Sequence, residues 1–265
     1  MATATKMELA VEMTCQRCVQ DIQKKLDGIQ EIKTLDINLG NEQVVIETTL
    51  PSSQVIDILE STGRRATLQG HGSAISGQSH LGAAVSMLEV GPVKGVVRYL
   101  QSDRNTCIIE GTLDGLKPGK YGIAIHELGD LSDGCNSCGD RFNPYNQPHG
   151  GPADERRHVG DMGNIEADET GRAKFRLEDR LIKVWDIIGR SVVVHANADD
   201  LGRGNNPQSK IDGNSGSGIA CGIIARSSGL FQNPKKFCSC DGVTIWEERD
   251  RPLAGPGRSQ PHASL

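Results

Sequence analysis

Met7-Glu8-Leu9-Ala10-Val11-Glu12-Met13-Thr14-Cys15-Gln16-Arg17-Cys18 joins two kinds of periodicity. Met7, Leu9, Val11 and Met13 alternate with a period of two, the pattern of a half-buried strand. Val19, Ile22, Leu26 and Ile29 then repeat at helical spacing, and Gly28 marks the helix end. Two sulfurs therefore fall on a strand-to-helix junction. There, free N–H groups and the helix dipole favour thiolate over thiol. With no histidine or carboxylate beside them in sequence, paired thiolates suit a soft ion such as Cu(I). The competing readings are a packed or incidental pair, half of a zinc site, and a thioredoxin-like redox pair. The other Cys-x-x-Cys, Cys135 and Cys138, lies far beyond zinc-ribbon spacing.

Working outward, residues 7–69 read as β-α-β-β-α-β. Ile32, Leu35 and Ile37 mark a second strand, and Leu39-Gly40-Asn41 turns into Val44-Val45-Ile46. Pro51-Ser52-Ser53 opens a second helix carrying Val55, Ile56, Ile58 and Leu59, with Gly63 past its end. Arg65–Leu68 is the expected last strand. This order predicts a ferredoxin-like domain over residues 1–70. A ferredoxin-like fold opening with Met-x-Cys-x-x-Cys resembles the small copper metallochaperones and the metal-binding domains of copper pumps. The resemblance implies that Cys15 and Cys18 hold Cu(I) on an exposed loop, with Arg64 or Arg65 as candidates to offset the bis-thiolate charge.

Composition bounds the rest. The chain has 265 residues and a formal net charge of −5, enough length for two domains. It has no basic run interleaved with aromatics, so no nucleic-acid role is expected. Four Phe, three Tyr and two Trp leave the cores to Val, Ile, Leu and Ala. The opening residues lack a signal-peptide core and no apolar stretch is long enough to span a bilayer. A cytoplasmic protein without membrane insertion is therefore expected. Eight cysteines then point to metal or redox work more than to a secreted disulfide framework.

Residues 71–80 are small and polar and read as a flexible linker, with His71 and His80 solvated. Residues 81–230 carry short Val/Ile runs separated by Gly-containing turns. The expected strands are Val93–Leu100, Cys107–Leu113, Tyr121–Glu127, Ala173–Leu177, Ser191–His195 and Ile219–Ala225. The whole chain is thus α+β: a ferredoxin-like head, an all-β Greek-key sandwich or barrel, and a mostly disordered tail over 231–265.

The segments Gly122-Ile-Ala-Ile-His126, Phe142-Asn-Pro, His149-Gly-Gly-Pro, Arg157-His158-Val-Gly-Asp161, Val194-His195 and Cys221-Gly occur in the order found in copper/zinc superoxide dismutases. This middle segment resembles that family throughout. The resemblance places His126 and His195 at two copper positions, Ala124 where another copper histidine belongs, and Arg141 at the metal-bridging histidine. Gly218 stands where an arginine guides the superoxide anion. A four-nitrogen Cu(II) site cannot be built from two imidazoles, so no dismutase activity is expected. His149, His158 and Asp161 match zinc positions, with adjacent Asp140 as a candidate fourth ligand. Bound zinc and a hydrogen-bonded loop without metal both remain open. Cys135 and Cys221 match the family's intrasubunit disulfide, with Cys138 as a rival partner; Cys107 reads as a small buried strand residue.

The tail carries Phe237-Cys238-Ser239-Cys240, two sulfurs near enough to share a soft metal or exchange disulfides. A metallochaperone-like head, an incomplete dismutase-like body and a Cys-x-Cys tail together resemble the family of copper chaperones for superoxide dismutase. That resemblance implies Cu(I) cargo on Cys15, Cys18, Cys238 and Cys240, with copper/zinc superoxide dismutase as client in a heterodimer. It also implies a homodimer through the middle domain, and makes a copper transporter a further candidate partner. The alternatives are a superoxide-consuming enzyme and a passive thiol store for copper.

Overall fold

The computed structural model describes residues 2–74 and 81–232. They divide into two compact units, a head of residues 2–74 with 228–232 and a body of residues 81–227. Residues 75–80 with His80, and 233–265 with Cys238 and Cys240, lie outside the described residues.

The head contains β1 (Thr5–Val11), α1 (Gln16–Asp27), β2 (Ile32–Asn38), β3 (Gln43–Thr48), α2 (Ser52–Glu60) and β4 (Ala66–Ser73). Its antiparallel sheet has the order β2-β3-β1-β4, the split βαβ arrangement expected from the sequence. The alternating face of β1 supplies Met7, Leu9 and Val11 to the core, where Ile22 and Leu26 of α1 and Val55 and Leu59 of α2 meet them. Gly28 caps α1 as predicted, and Pro51 precedes α2.

β4 runs farther than its sequence suggests. Residues 71–73 form strand rather than linker, paired with β1 in the register Met7↔His71, Lys6↔Gly72 and Thr5↔Ser73. His71 is buried, not solvated. Gly70, His71, Gly72 and Ser73 have little strand propensity of their own; the open edge of β1 gives their backbone groups partners. The two glycines also admit residues 228–232. An added Cβ at Gly72 would lie 2.5 Å from Leu230 Cδ1. The Phe231 N–H donates to the buried Glu8 carboxylate at 2.6 Å.

The body contains β5 (Ala83–Leu88), β6 (Lys94–Gln101), β7 (Cys107–Asp114), β8 (Gly119–His126), β9 (Asp161–Ala167), β10 (Ala173–Asp179), β11 (Ser191–His195) and β12 (Gly218–Arg226). The antiparallel order is β10-β7-β6-β5-β12-β11-β8-β9. The chain crosses over between β7 and β8 and again between β10 and β11, which gives the Greek-key path. β9 and β10, at the two ends, lie close together, so the sheet curls toward a barrel. Val97, Tyr99, Ile109, Leu113, Ile123, Ile125, Val192, Val194 and Ile224 fill its interior. Packing demands glycine at position 111: a Cβ there would enter the Phe175 ring, 2.2 Å from its Cζ. No helix among the described residues is long and apolar enough to cross a membrane.

The fold matters because it separates two kinds of loop. The head leaves its β1–α1 junction at the surface. The body draws the long loops after β8 and β11 inward against buried polar groups.

Candidate metal centres

In the head, Met13 is buried and anchors the chain just before the cysteines. The Val11 N–H donates to the Glu42 carbonyl at 2.8 Å and the Glu12 N–H to the Arg65 carbonyl at 3.0 Å, so the junction is fastened from both sides. Cys15 then takes the N-cap position in an extended conformation, φ −158°, and Cys18 sits in the first turn. Their sulfurs are 3.7 Å apart, neither bonded as a disulfide. Cys15 is exposed and Cys18 partly so.

Cys18 is held as a thiolate at neutral pH. A backbone hydrogen bond from Thr14, followed by one from the Arg64 side chain, draws its thiol down to about 6. Arg64 also donates to Asp21 at 2.8 Å, and Arg65 pairs with Glu12 at 3.0 Å. Of the two candidate arginines, the structure brings Arg64 to the sulfur.

One expected outcome follows. Alkylation of Cys18 by iodoacetamide should show a pH midpoint near 6 in the copper-free chain, and Arg64→Met should move it upward. The cut after Arg17 places Cys15 and Cys18 on different tryptic peptides, so mass spectrometry reads Cys18 alone. A midpoint in the ordinary thiol range in the parent chain contradicts this geometry.

In the body, β8 ends at His126 and β11 at His195, which brings two of the expected positions together. Each Nδ1 faces a carbonyl, Gly139 at 2.7 Å and Gly216 at 2.9 Å, so each Nδ1 must carry a hydrogen. The two Nε2 atoms face one another at 3.2 Å. Burial pushes His126 down to about 4, and burial with the Arg141 charge lowers His195. Both rings are neutral at neutral pH. Ala124 lies on β8, fully buried, with no side chain to ligate. Gly218 packs on the disulfide: an added Cβ would lie 2.7 Å from Cys135 Cβ and 2.8 Å from Val193 Cγ1. A larger side chain at position 218 would have to displace one of these neighbours.

The three residues matched to zinc positions also converge. One nitrogen of each of His149 and His158 and a carboxylate oxygen of Asp161 lie within 4.8 Å of one another. Arg141 enters the same cluster. Its Nη1 donates to Asp161 Oδ1 at 3.0 Å and Asp199 Oδ2 at 2.7 Å and lies 3.3 Å from His149 Nδ1; its Nη2 donates to the Asp212 carbonyl at 2.7 Å and Ser215 Oγ at 2.8 Å. His149 spans Asp161 and Asp199 through its two nitrogens, at 2.9 and 2.8 Å. Burial opposes a charge on this ring, yet the two carboxylates hold its proton up to about 9. Burial likewise opposes ionisation of Asp161, but His149 and His158 hold it well below the usual carboxylate range.

Sequence reasoning did not find Asp199, Asp212 or Ser215. Asp140, the candidate fourth ligand, is exposed instead. The available signal was Arg141 itself, a fixed cation among metal-ligand positions with no assigned carboxylate. Cys135 joins Cys221 in a disulfide with Cα atoms 5.7 Å apart. Cys138, its rival, stays buried and free, and burial pushes its thiol upward.

Two family models match the chain: "Heavy-metal-associated domain" over residues 8–65 and "Copper/zinc superoxide dismutase (SODC)" over residues 93–224. A Sus scrofa protein named copper chaperone for superoxide dismutase is 57% identical over 98% of this chain and 94% of its own length. The Homo sapiens protein of the same name is 55% identical over 99% and 97%. Among solved structures, the crystal structure of the clock protein EA4 matches 57% of this chain and 98% of its own, at 40% identity and a TM-score of 0.52.

Proposed function

The chain belongs to the family of copper chaperones for superoxide dismutase, and from that premise we propose that it carries Cu(I) on Cys15 and Cys18 and delivers it to a docked dismutase. The observation that supports this reading is the exposed sulfur pair, 3.7 Å apart on a helix N-terminus beside Arg64. Paired soft donors select Cu(I), and their exposure lets another thiolate enter before the first leaves. Copper then moves by ligand exchange: an incoming sulfur bonds the ion, a donor sulfur departs, and the metal stays monovalent throughout.

The body is not a dismutase. It lacks copper ligands at Ala124 and Arg141 and the guiding charge at Gly218. Its role in this proposal is to grip. A self-complementary face that pairs two copies of a dismutase also accepts a look-alike, which supports both a homodimer and a heterodimer with the client. A copper transporter is the proposed donor and the cytoplasm the proposed compartment.

Cys238 and Cys240 are proposed to pass copper onward and to oxidise the client. As a disulfide they take two electrons from two client thiols. The client disulfide forms, the tail disulfide opens, and the two protons pass to the tail thiolates. Tethering both sulfur pairs to a docked body raises their effective concentration at the client.

The test mixes Cu(I)-loaded protein with zinc-only, reduced dismutase under excess Cu(I) chelator. Dismutase activity should appear with the loaded chain and not with an equal amount of free copper. Changing both Cys238 and Cys240 to Ser should slow activation by about tenfold or more, since untethered thiols act only at bulk concentration. Equal activation by free copper, or an unaffected tail variant, contradicts the proposal.

A further inference from the structure

We infer that the Arg141 guanidinium is the resident cation of the body's loop cluster, in place of the divalent ion that a dismutase-like fold leads one to expect. A zinc ion here needs the lone pairs of His149 Nδ1, His158 Nδ1 and an Asp161 oxygen. Arg141 Nη1 already lies against two of those three groups, at 3.3 Å from His149 Nδ1 and 3.0 Å from Asp161 Oδ1. The other Asp161 oxygen accepts the Gly150 and His158 backbone N–H groups at 3.2 and 2.9 Å. His158 Nδ1, the third, makes no hydrogen bond and lies 3.4 Å from Asp161 Oδ1. One free imidazole nitrogen is not a zinc site, and an ion bonded to all three would sit beside a guanidinium that does not deprotonate. The residues present do not fit the metal.

The guanidinium also does the structural work of an ion. A metal at such a place pins separate loops by drawing their donors to one point. Arg141, on the loop after β8, reaches Asp161 at the start of β9 and Asp199, Asp212 and Ser215 on the loop after β11. Its side chain is 3% exposed and those of Asp161 and Asp199 are fully buried, so the cluster is closed to solvent. The planar fork of donors suits several acceptors at fixed angles, which a point charge does not. The consequence is a body whose loops are ordered without metal. A protein whose cargo is a metal ion then has no competing ion on His149, His158 and Asp161 in the domain that only grips its client.

The experiment uses the full chain with Cys15, Cys18, Cys238 and Cys240 changed to Ser, so that exposed sulfurs take no ion. Zinc or cobalt(II) is added, the excess is removed, and metal per chain is counted. Cobalt(II) absorption reports nitrogen and oxygen ligation. The Arg141 protein should retain under about 0.1 ion per chain and unfold at the same temperature with or without zinc. Arg141→His should retain about one ion. It should unfold about 5–10 °C higher with zinc at about 100 times its Kd. Arg141→Gln, which removes the charge while keeping a polar side chain, should also gain metal. One nitrogen- and oxygen-ligated ion in the Arg141 protein overturns the inference, as does a failure of both folded variants to bind more metal than it does. If neither variant folds, the Arg141 protein decides alone: unfolding that shifts with zinc overturns the inference, and unfolding that ignores it upholds it.

Discussion

A chain with both Cys15 and Cys18 changed to Ser is expected to lose Cu(I) from its head while keeping its fold. The fold should survive because Cys15 is exposed, Cys18 only partly buried, and Met13 and Ile22 hold the flanking elements in the core. Serine hydroxyls are hard, neutral donors and cannot replace thiolates on a soft monovalent ion. Arg64, left without a sulfur anion, keeps Asp21 and the Thr62 carbonyl. Affinity for Cu(I) should fall by more than about a thousandfold, or about 4 kcal/mol. Competition against a coloured Cu(I) chelator measures this, with Cys238 and Cys240 also changed to Ser. Retention of copper at the parent affinity would place the carrier elsewhere.

The second large effect is on stability. Arg141→Ala removes the one cation that faces Asp161, Asp199 and the Asp212 carbonyl together. Deleting one partner of a buried ionic cluster leaves Asp161 and Asp199 to His149, with the Asp212 carbonyl and Ser215 stripped of their guanidinium donor, and costs about 3–5 kcal/mol. The urea midpoint of the body should therefore fall by roughly 2 M. Arg141→Lys should recover only part, because an ammonium cannot place donors on Asp161, Asp199, Asp212 and Ser215 at once. The exposed pair Arg172–Asp114, at 2.6 Å, is the control: its removal should change stability by less than about 1 kcal/mol. Equal losses from the two substitutions would mean that the buried cluster is no stronger than a surface pair.

Much of this was legible because the relevant signals are local. The alternation from Met7 to Met13 and the helical spacing from Val19 define β1 and α1, and both cysteines fall on the junction. Ser191–His195 reads as a strand from its valines and forms β11 over the same residues. β5 and β9 had no such signal. β5 is Ala-rich, and β9 contains Gly163 at φ 78°, a conformation that breaks strand periodicity. β4 runs past Leu68 because β1 offers it an edge, a tertiary effect that propensity does not record.

The body site was half legible. Ordered motifs place His126, His195, His149, His158 and Asp161, and the fold brings them near one another in two groups. Arg141 was visible as a departure, but its partners lie 20, 58, 71 and 74 residues away in sequence. No spacing rule joins residues so distant; the Greek-key path does. The choice of Cys221 over Cys138 for Cys135 is likewise a matter of tertiary placement.

X-ray absorption at the copper edge, on the full chain loaded with one equivalent of Cu(I), most directly tests whether the cargo travels on paired sulfurs. The account predicts a monovalent edge and a shell of two or three sulfur atoms, which disappears when Cys15, Cys18, Cys238 and Cys240 are all Ser. A shell of nitrogen or oxygen alone, with His126 and His195 as its source, would contradict it.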